Sequence, residues 1–553
     1  MYIKRMRVSY QHANINSGNE STLLRFTAAD GTRACILVDA GDGVNLDTLL
    51  ADDEYLNAIL LTHPHIDHYH TLATNVRHNA PIYTADTTAA ILEQSLPEAT
   101  QDNDLGDVSA ALDALEPIDN WTSILNGLEV RPIAAGHTPG GAGFLVRFHD
   151  ETATDDPLNG EQHILISGDF TTRPCAGFPG LETSYPFDID CLLLNVASND
   201  SYTTSLNESL QSTLEHAYAG SRVVVAASSL TGVHYATLLG HCTEILERGV
   251  PITLVGQAAK LYDRLEYDVP GVEPTAVFDR TNEVLADGGI TIAGPEMPTT
   301  GSTQRLLQAI GGDPAAAFVQ LTTGDEVDPA DTRCTTQAFS LSNHPSSETI
   351  TDIVHDIAPK EVVIKHASGR TLKKFQQRFD RCFTWGTNDT GIHCLYENGE
   401  WQVPDWITDS TASRIQSRQW EALQEQSLEI DASLPRCRHG SIDLEAEGVD
   451  LDALEETFSG AIEDPYSDPD PENDASKPAE SDEDDRQSDQ SFEEDVLARL
   501  EAIETTLDRS EETVSARVLS DGADKQVLQL LETADVDSGD IVEVTIKTEL
   551  SDE

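Results

Sequence analysis

Between residues 20 and 400, short runs rich in Val, Ile and Leu alternate with stretches whose apolar residues recur at helical spacing. Such alternation predicts a layered α/β fold. The apolar runs predict strands at 34–38, 58–61, 130–134, 143–148, 164–167, 191–194, 223–225, 252–255, 318–321 and 362–364. The amphipathic stretches between them predict helices at 87–96, 206–219, 235–248, 257–265 and 348–357.

After about residue 408 the pattern changes to long polar and acidic runs with few aromatic residues. The stretch 463–490, containing DPYSDPDPENDASKPAESDEDDRQSDQ, is too charged to bury a core and reads as a disordered acidic linker. Beyond it, Val496, Leu500, Ile503 and Leu507 form a stripe at 4-3-4 spacing. That stripe is either a short coiled-coil seam joining two copies of the chain or a helix docked on its own domain. The closing residues, VSARVLS and DIVEVTIKTEL around a helical KQVLQLLETA, read as a small α/β appendage.

Composition adds an environment. With 34 Lys+Arg against 97 Asp+Glu, the formal charge is -63. In dilute buffer this would be costly self-repulsion, whereas molar salt shortens the Debye length to roughly 3 Å. A halophilic source is therefore expected, and the charge does not exclude a nucleic-acid substrate. The eight cysteines (35, 175, 191, 242, 334, 382, 394 and 437) show no CxxC pair, which suits a reducing compartment. MYIKRMRVSYQHANINSG lacks a signal peptide's apolar segment, and no run approaches the roughly 20 apolar residues of a membrane span. A cytoplasmic protein without membrane contact is expected.

The chemistry is concentrated at strand ends. AILLTHPHIDHYHTL sets His63, His65, Asp67 and His68 directly after an apolar strand, a compact N and O donor set suited to zinc. The spacing divides it, with His63 and His65 facing one metal and Asp67 and His68 a second. His137 leaves a strand into a Gly-rich turn, and Asp169 in ILISGDF ends another, where two carboxylate oxygens can bridge two ions. Asp39, in ILVDAGDG, is placed to orient ligands by hydrogen bonds.

These motifs, in this order, resemble the metallo-β-lactamase superfamily over roughly residues 15–395. The chain beyond Asp169 resembles the β-CASP nuclease group, which includes ribonuclease J and the cleavage and polyadenylation endonuclease. The resemblance implies an αββα sandwich with an inserted α/β domain. It divides the chain into 1–195 (first part of the metallo-β-lactamase domain), 196–335 (β-CASP-like insertion), 336–405 (closing part), 406–462 (acidic extension), the linker, and 491–553 (helix and appendage). AFSLSNHPSSETITDIVHDIAPKEVVIKHASG resembles the group's closing segment. It implies that His344 assists leaving-group protonation and that His366 is the late metal ligand. His366 also follows a strand and precedes a small Ala-Ser-Gly turn, as a ligand at a sheet rim would. His234 and the remaining histidines read as packing or surface residues.

Two positions depart from the group's pattern. Ala197, in LLLNVASND, stands where an acid is usual, with Asn195 and Asp200 nearby, and Val233 stands where Arg is usual. After His366, GRTLKKFQQRFDRC carries Arg370, Lys374, Arg378 and Arg381 on one helical stripe. The stripe either tracks phosphates or is a solvated face paired with carboxylates.

The expectation is therefore a ribonuclease-like hydrolase holding two Zn²⁺, with Mn²⁺ as the alternative, and cutting single-stranded nucleic acid, RNA favoured. His63, His65 and His137 would hold one ion, Asp67, His68 and His366 the other, and Asp169 would bridge them. A hydroxide would attack, and His344, Asp67 and Asp169 would form the catalytic set. The rivals are a small ester or thioester hydrolase of the same fold and a weakly active or inactive subunit that binds RNA or partners.

Overall fold

The computed structural model describes residues 5–101, 103–150, 160–324, 326–327, 329, 332–425, 433–459, 516–520 and 526–530. The chain divides into two units, Met1–Glu463 and Asp464–Glu553.

The first unit opens with β1 (Met6–His12), β2 (Thr22–Ala28), β3 (Arg33–Val38), β4 (Leu56–Leu60), β5 (Ile82–Thr84) and β6 (Leu115–Pro117). A second sheet begins with β7 (Thr122–Leu125), β8 (Leu128–Gly136), β9 (Gly141–His149), β10 (Glu161–Ile166) and β11 (Cys191–Asn195). The chain then leaves the sandwich for β12 (Val223–Ala226), β13 (Ile252–Val255), β14 (Val272–Thr275), β15 (Ile290–Ala293), β16 (Ala317–Thr322) and β17 (Thr335–Ser340). It returns through β18 (Glu361–Lys365) and β19 (Phe383–Trp385) to the second sheet, and through β20 (His393–Glu397) and β21 (Glu400–Trp401) to the first.

The two sheets run β21-β20-β1-β2-β3-β4-β5-β6 and β19-β18-β11-β10-β9-β8-β7. Period-two alternation decides which layer each side chain enters. Leu24, Ile36 and Leu60 point between the sheets toward Phe144, Val146 and Ile164. Their neighbours Leu23, Leu37 and Leu61 pack on the other face with Leu72, Leu92 and Leu96 from the helices outside. The second sheet does the same, with Leu145, Leu165 and Leu192 meeting Ile350, Ile353 and Phe375. This is the expected four-layer αββα arrangement. Because both faces are covered, these strands read as unbroken apolar runs.

The insertion is a parallel sheet, β14-β13-β15-β12-β16-β17, with helices on both faces. Its last strand corrects the expected boundary at 335/336. β17 pairs with β16 from Thr335 to Ser340, so that boundary cuts a strand from its own sheet.

The acidic extension needs a second correction, because part of it is packed structure. Leu444, Val449, Leu454 and Phe458 are buried in one cluster with Leu210, Leu214 and Tyr235 of the insertion. Glu447 is buried against His234 at 2.7 Å and also accepts from the amides of Ala176 and Gly177. Glu447→Ala would leave the buried His234 ring and two amides without their carboxylate, a loss of roughly 3–5 kcal/mol. Urea unfolding of wild type and variant in molar KCl measures it.

In the second unit, Ala516–Ser520 and Gln526–Leu530 pair as an antiparallel hairpin. The helix expected over KQVLQLLETA is therefore a strand across Gln526–Leu530. A short apolar run does not distinguish the two by period. The 463–490 linker, the Val496–Leu507 stripe and DIVEVTIKTEL lie outside the described residues. Among the described residues, no helix is long and apolar enough to cross a membrane.

Candidate metal centre

Strand ends from both sheets deliver the polar side chains to one edge of the sandwich. Past β4, Thr62 and His63 continue the chain, and His65 precedes the short helix Ile66–Tyr69 that carries Asp67 and His68. His137 follows β8, Asp169 lies just past β10, and His366 follows β18. Asp39, His137 and His366 hold left-handed backbones, with φ of 55°, 52° and 53°. For side chains other than glycine this conformation costs of order 1–3 kcal/mol each, and such strain concentrates at functional positions. Gly168 serves the same geometry, since a Cβ there would stand 2.8 Å from the Cβ of Thr62.

The donors converge. His65 Nδ1 lies 3.1 Å from both His63 Nε2 and His137 Nε2. Asp169 Oδ2 lies 3.4 Å from His68 Nε2, 3.9 Å from His137 Nε2 and 4.0 Å from His63 Nε2. Its other oxygen lies 2.8 Å from His366 Nδ1. Asp67 Oδ2 is 3.9 Å from His68 Nε2. Among the described residues, sets of three with donor atoms within 4.8 Å of one another are His63, His65 and His137; His63, His68 and Asp169; His137, Asp169 and His344; and Asp67, Asp169 and His366. All seven expected ligands thus meet around Asp169.

Electrostatics suits cations here. Burial pushes His63, His65 and His137 down, His65 to about 3, which leaves neutral imidazoles with lone pairs to offer. Burial opposes ionisation of Asp169, but His366 and His68 outweigh it and hold the carboxyl well below its usual range. His68 is raised because Asp39, Asp169 and Asp67 overcome its burial. Three carboxylates around one imidazole call for positive charge. His68 Nε2 is buried without a hydrogen-bond partner and faces Asp169, as a donor awaiting an ion would. The residues present fit two divalent ions.

Asp39 sits behind the donors, as expected. Its Oδ1 accepts from the Thr62 amide at 2.9 Å, and its Oδ2 lies 2.8 Å from His68 Nδ1, so His68 Nε2 is turned inward. Asp39→Asn should weaken metal affinity by roughly 10–100-fold, the usual cost of losing such a partner. Competition with a coloured chelator reads it.

His344 stacks on His137 with ring centroids 4.7 Å apart. Burial pushes its imidazole down to about 4, and its Nδ1 is buried without a partner. The sequence pattern did not point to its neighbours. Asn343 clasps His137 twice, its Nδ2 donating to the His137 carbonyl and its own carbonyl facing His137 Nδ1, both at 2.7 Å. Asn195 Nδ2 donates to Asp169 Oδ1 at 2.9 Å, so this amide, and not Ala197, touches the centre. Asp200 accepts from the amide of Ser347 at 2.6 Å, at the start of the helix Ser347–Ile357. Val233 is a buried core residue of the insertion.

The basic stripe is largely engaged within the protein. Lys374 donates to Ser347 Oγ, Arg378 to the Ser347 carbonyl, and Arg381 meets His355, which ties two helices together. Arg370 is exposed near the start of its helix, Gly369–Arg378. His234 is buried between Cys175 and Glu447.

A cavity of about 430 Å³ opens over the donors. Its floor includes His65, Asp67, Asp169 and His366, and its far wall is the insertion. Ser228, Glu296, Thr323 and Leu341 in that wall all lie beyond the carboxyl ends of insertion strands, where open parallel sheets form their binding crevices. Tyr202, Leu206, Leu230, Tyr235 and Leu238 make much of the wall apolar. Among the described residues lining it, none is Lys or Arg.

Residues 35–155 match the model of a beta-lactamase superfamily domain. A comparison with curated proteins gave no match. Among solved structures, a protein of unknown function from Enterococcus faecalis V583 is similar, with 15% identity and a TM-score of 0.47. The similarity covers 66% of this chain and 94% of that one.

Proposed function

We propose that this chain, which carries a beta-lactamase superfamily domain and a His/Asp donor cluster, is a two-metal phosphodiester hydrolase acting on single-stranded nucleic acid, RNA favoured. The observation that carries the reading is the convergence of seven N and O donors around Asp169 beneath a cleft walled by the inserted sheet. His63, His65 and His137 would hold one ion, Asp67, His68 and His366 the other, with Asp169 between them. Zinc suits the N and O donors, with manganese as the alternative. Bound ions would polarise a phosphoryl oxygen and ease deprotonation of a water.

The chain's own residues do the rest. Asp39 and Thr62 fix His68, Asn343 fixes His137, and Asn195 fixes Asp169. His344 stands against His137 at the cavity floor, where it can hand a proton to a departing oxygen. The wall of the insertion would shield the centre from water and flank an extended strand. Arg370, exposed a few residues beyond His366, would offer a phosphate contact.

One observation favours a second reading, hydrolysis of a small ester or thioester. Much of the cavity's insertion wall is apolar and the lining carries no Lys or Arg among the described residues, and 430 Å³ is within the usual range for small-molecule sites. Metal-loaded protein in molar KCl, given labelled single-stranded RNA, single-stranded DNA and a thioester in parallel, decides between them. Cleavage of RNA that is absent in His65→Ala supports the nuclease. Thioester turnover without nucleic-acid cleavage replaces it with the second reading, and no turnover of any substrate points to a binding subunit.

A further inference from the structure

A second polar constellation opens on the same cavity. Cys175 Sγ lies 3.4 Å from His234 Nδ1, and His234 Nε2 lies 2.7 Å from Glu447 Oε2. Thiol, imidazole and carboxylate stand in the order of nucleophile, base and orienting group. They come from the loop after Asp169, the helix Ser229–Ile245 and the packed part of the extension. Both Cys175 and His234 line the cavity with His65 and Asp67.

The surroundings of Cys175 carry positive charge. The groups facing it include Arg173, His234, Tyr202 and Tyr267. Arg173 is largely buried, lies 4.5 Å over the Tyr202 ring, and donates to Asn343 Oδ1 and the His344 carbonyl. Among the described residues it pairs with no carboxylate, and its Nε is buried without a partner. Burial raises both phenols, which stay neutral. Glu447 holds the His234 ring with Nδ1 turned to the sulfur, where it can take the thiol proton as the sulfur reacts. A thiol beside such positive charge is the reactive kind, unlike a cysteine buried in apolar surroundings.

We propose that Cys175 is a nucleophilic thiol, with His234 beside it to take its proton, and that it is a modification site for hydrogen peroxide entering through the cleft. The sulfur attacks one peroxide oxygen, the O–O bond breaks, and sulfur is oxidised by two electrons to a sulfenic acid. The second oxygen leaves as hydroxide, takes the proton from His234 and departs as water. Acyl transfer fits less well, because the amides of Ala176 and Gly177, placed to stabilise an oxyanion, both donate to Glu447.

The test uses the full chain in molar KCl, exposed to hydrogen peroxide with dimedone as the sulfenic-acid trap and mapped by peptide mass spectrometry. Cys394 and Cys437, partly exposed with thiols raised chiefly by burial, are internal references. The adduct should form at Cys175 roughly tenfold faster than at either reference, given the imidazole 3.4 Å from its sulfur. Alkylation of Cys175 by iodoacetamide at neutral pH should slow about tenfold in His234→Gln. Labelling of Cys175 only after unfolding, or no faster than at the references, overturns the proposal. So does the same alkylation rate with and without His234. The internal references keep the result decisive should His234→Gln fail to fold.

Discussion

Asp169→Ala should reduce hydrolysis by about 10³-fold or more while the sandwich stays folded. Asp169 is the only donor that faces His63, His68, His137 and His366 at once among the described residues. Asp169 would offer an oxygen to each of two bound ions, and alanine offers none. Metal polarisation of a phosphoryl oxygen is worth several kcal/mol, and each ~1.4 kcal/mol is a factor of ten. Its hydrogen-bonding partners at the strand ends of the second sheet, Asn195 and His366, reach it through their side chains, so far-ultraviolet circular dichroism should be close to wild type. A variant that retains activity within tenfold would remove Asp169 from the centre.

His344→Ala should lower kcat by roughly 10²-fold, the low end of general-acid effects, and leave metal content unchanged. The low end is expected because burial holds the ring near 4, so it is neutral at pH 7 and gains proton affinity only as negative charge builds beside it. Asp169 already acts in that direction on this imidazole. Metal content separates the two variants. A His344→Ala protein that loses its ions would make the residue a ligand, which its place with His137 and Asp169 in one donor set also permits.

Much of this architecture was legible because the central strands are covered on both faces. β3, β4, β8 to β13, β16 and β18 contain the apolar runs that anticipated them. β1 and β2 carry no such run because polar residues interrupt them. Ser9 and Gln11 are buried in β1, and Arg25 is buried in β2 through its pair with Glu54 at 2.9 Å. β17 is an edge strand whose residues are mostly exposed or half-buried, so it carries no apolar run either.

The candidate metal donors were legible for a different reason. Histidines and aspartates immediately after apolar strands have few other uses, whereas amides do not advertise theirs. Asn195 and Asn343 act through hydrogen bonds to donors distant in sequence, and only folding brings them there. Glu447 was hidden most completely, as one acid among many in an acidic stretch. Its one sequence signal is the spacing of Leu444, Val449, Leu454 and Phe458 around it, which marks a packed segment.

The central claim is that these seven side chains hold two divalent ions. Metal content per chain, measured by plasma mass spectrometry after dialysis in molar KCl containing Zn²⁺ and then against metal-free buffer, tests it most directly. Two ions per chain in wild type, falling to one or none in Asp169→Ala, is the predicted result. A wild-type chain that keeps no ion, or an Asp169→Ala chain that keeps two, would contradict it.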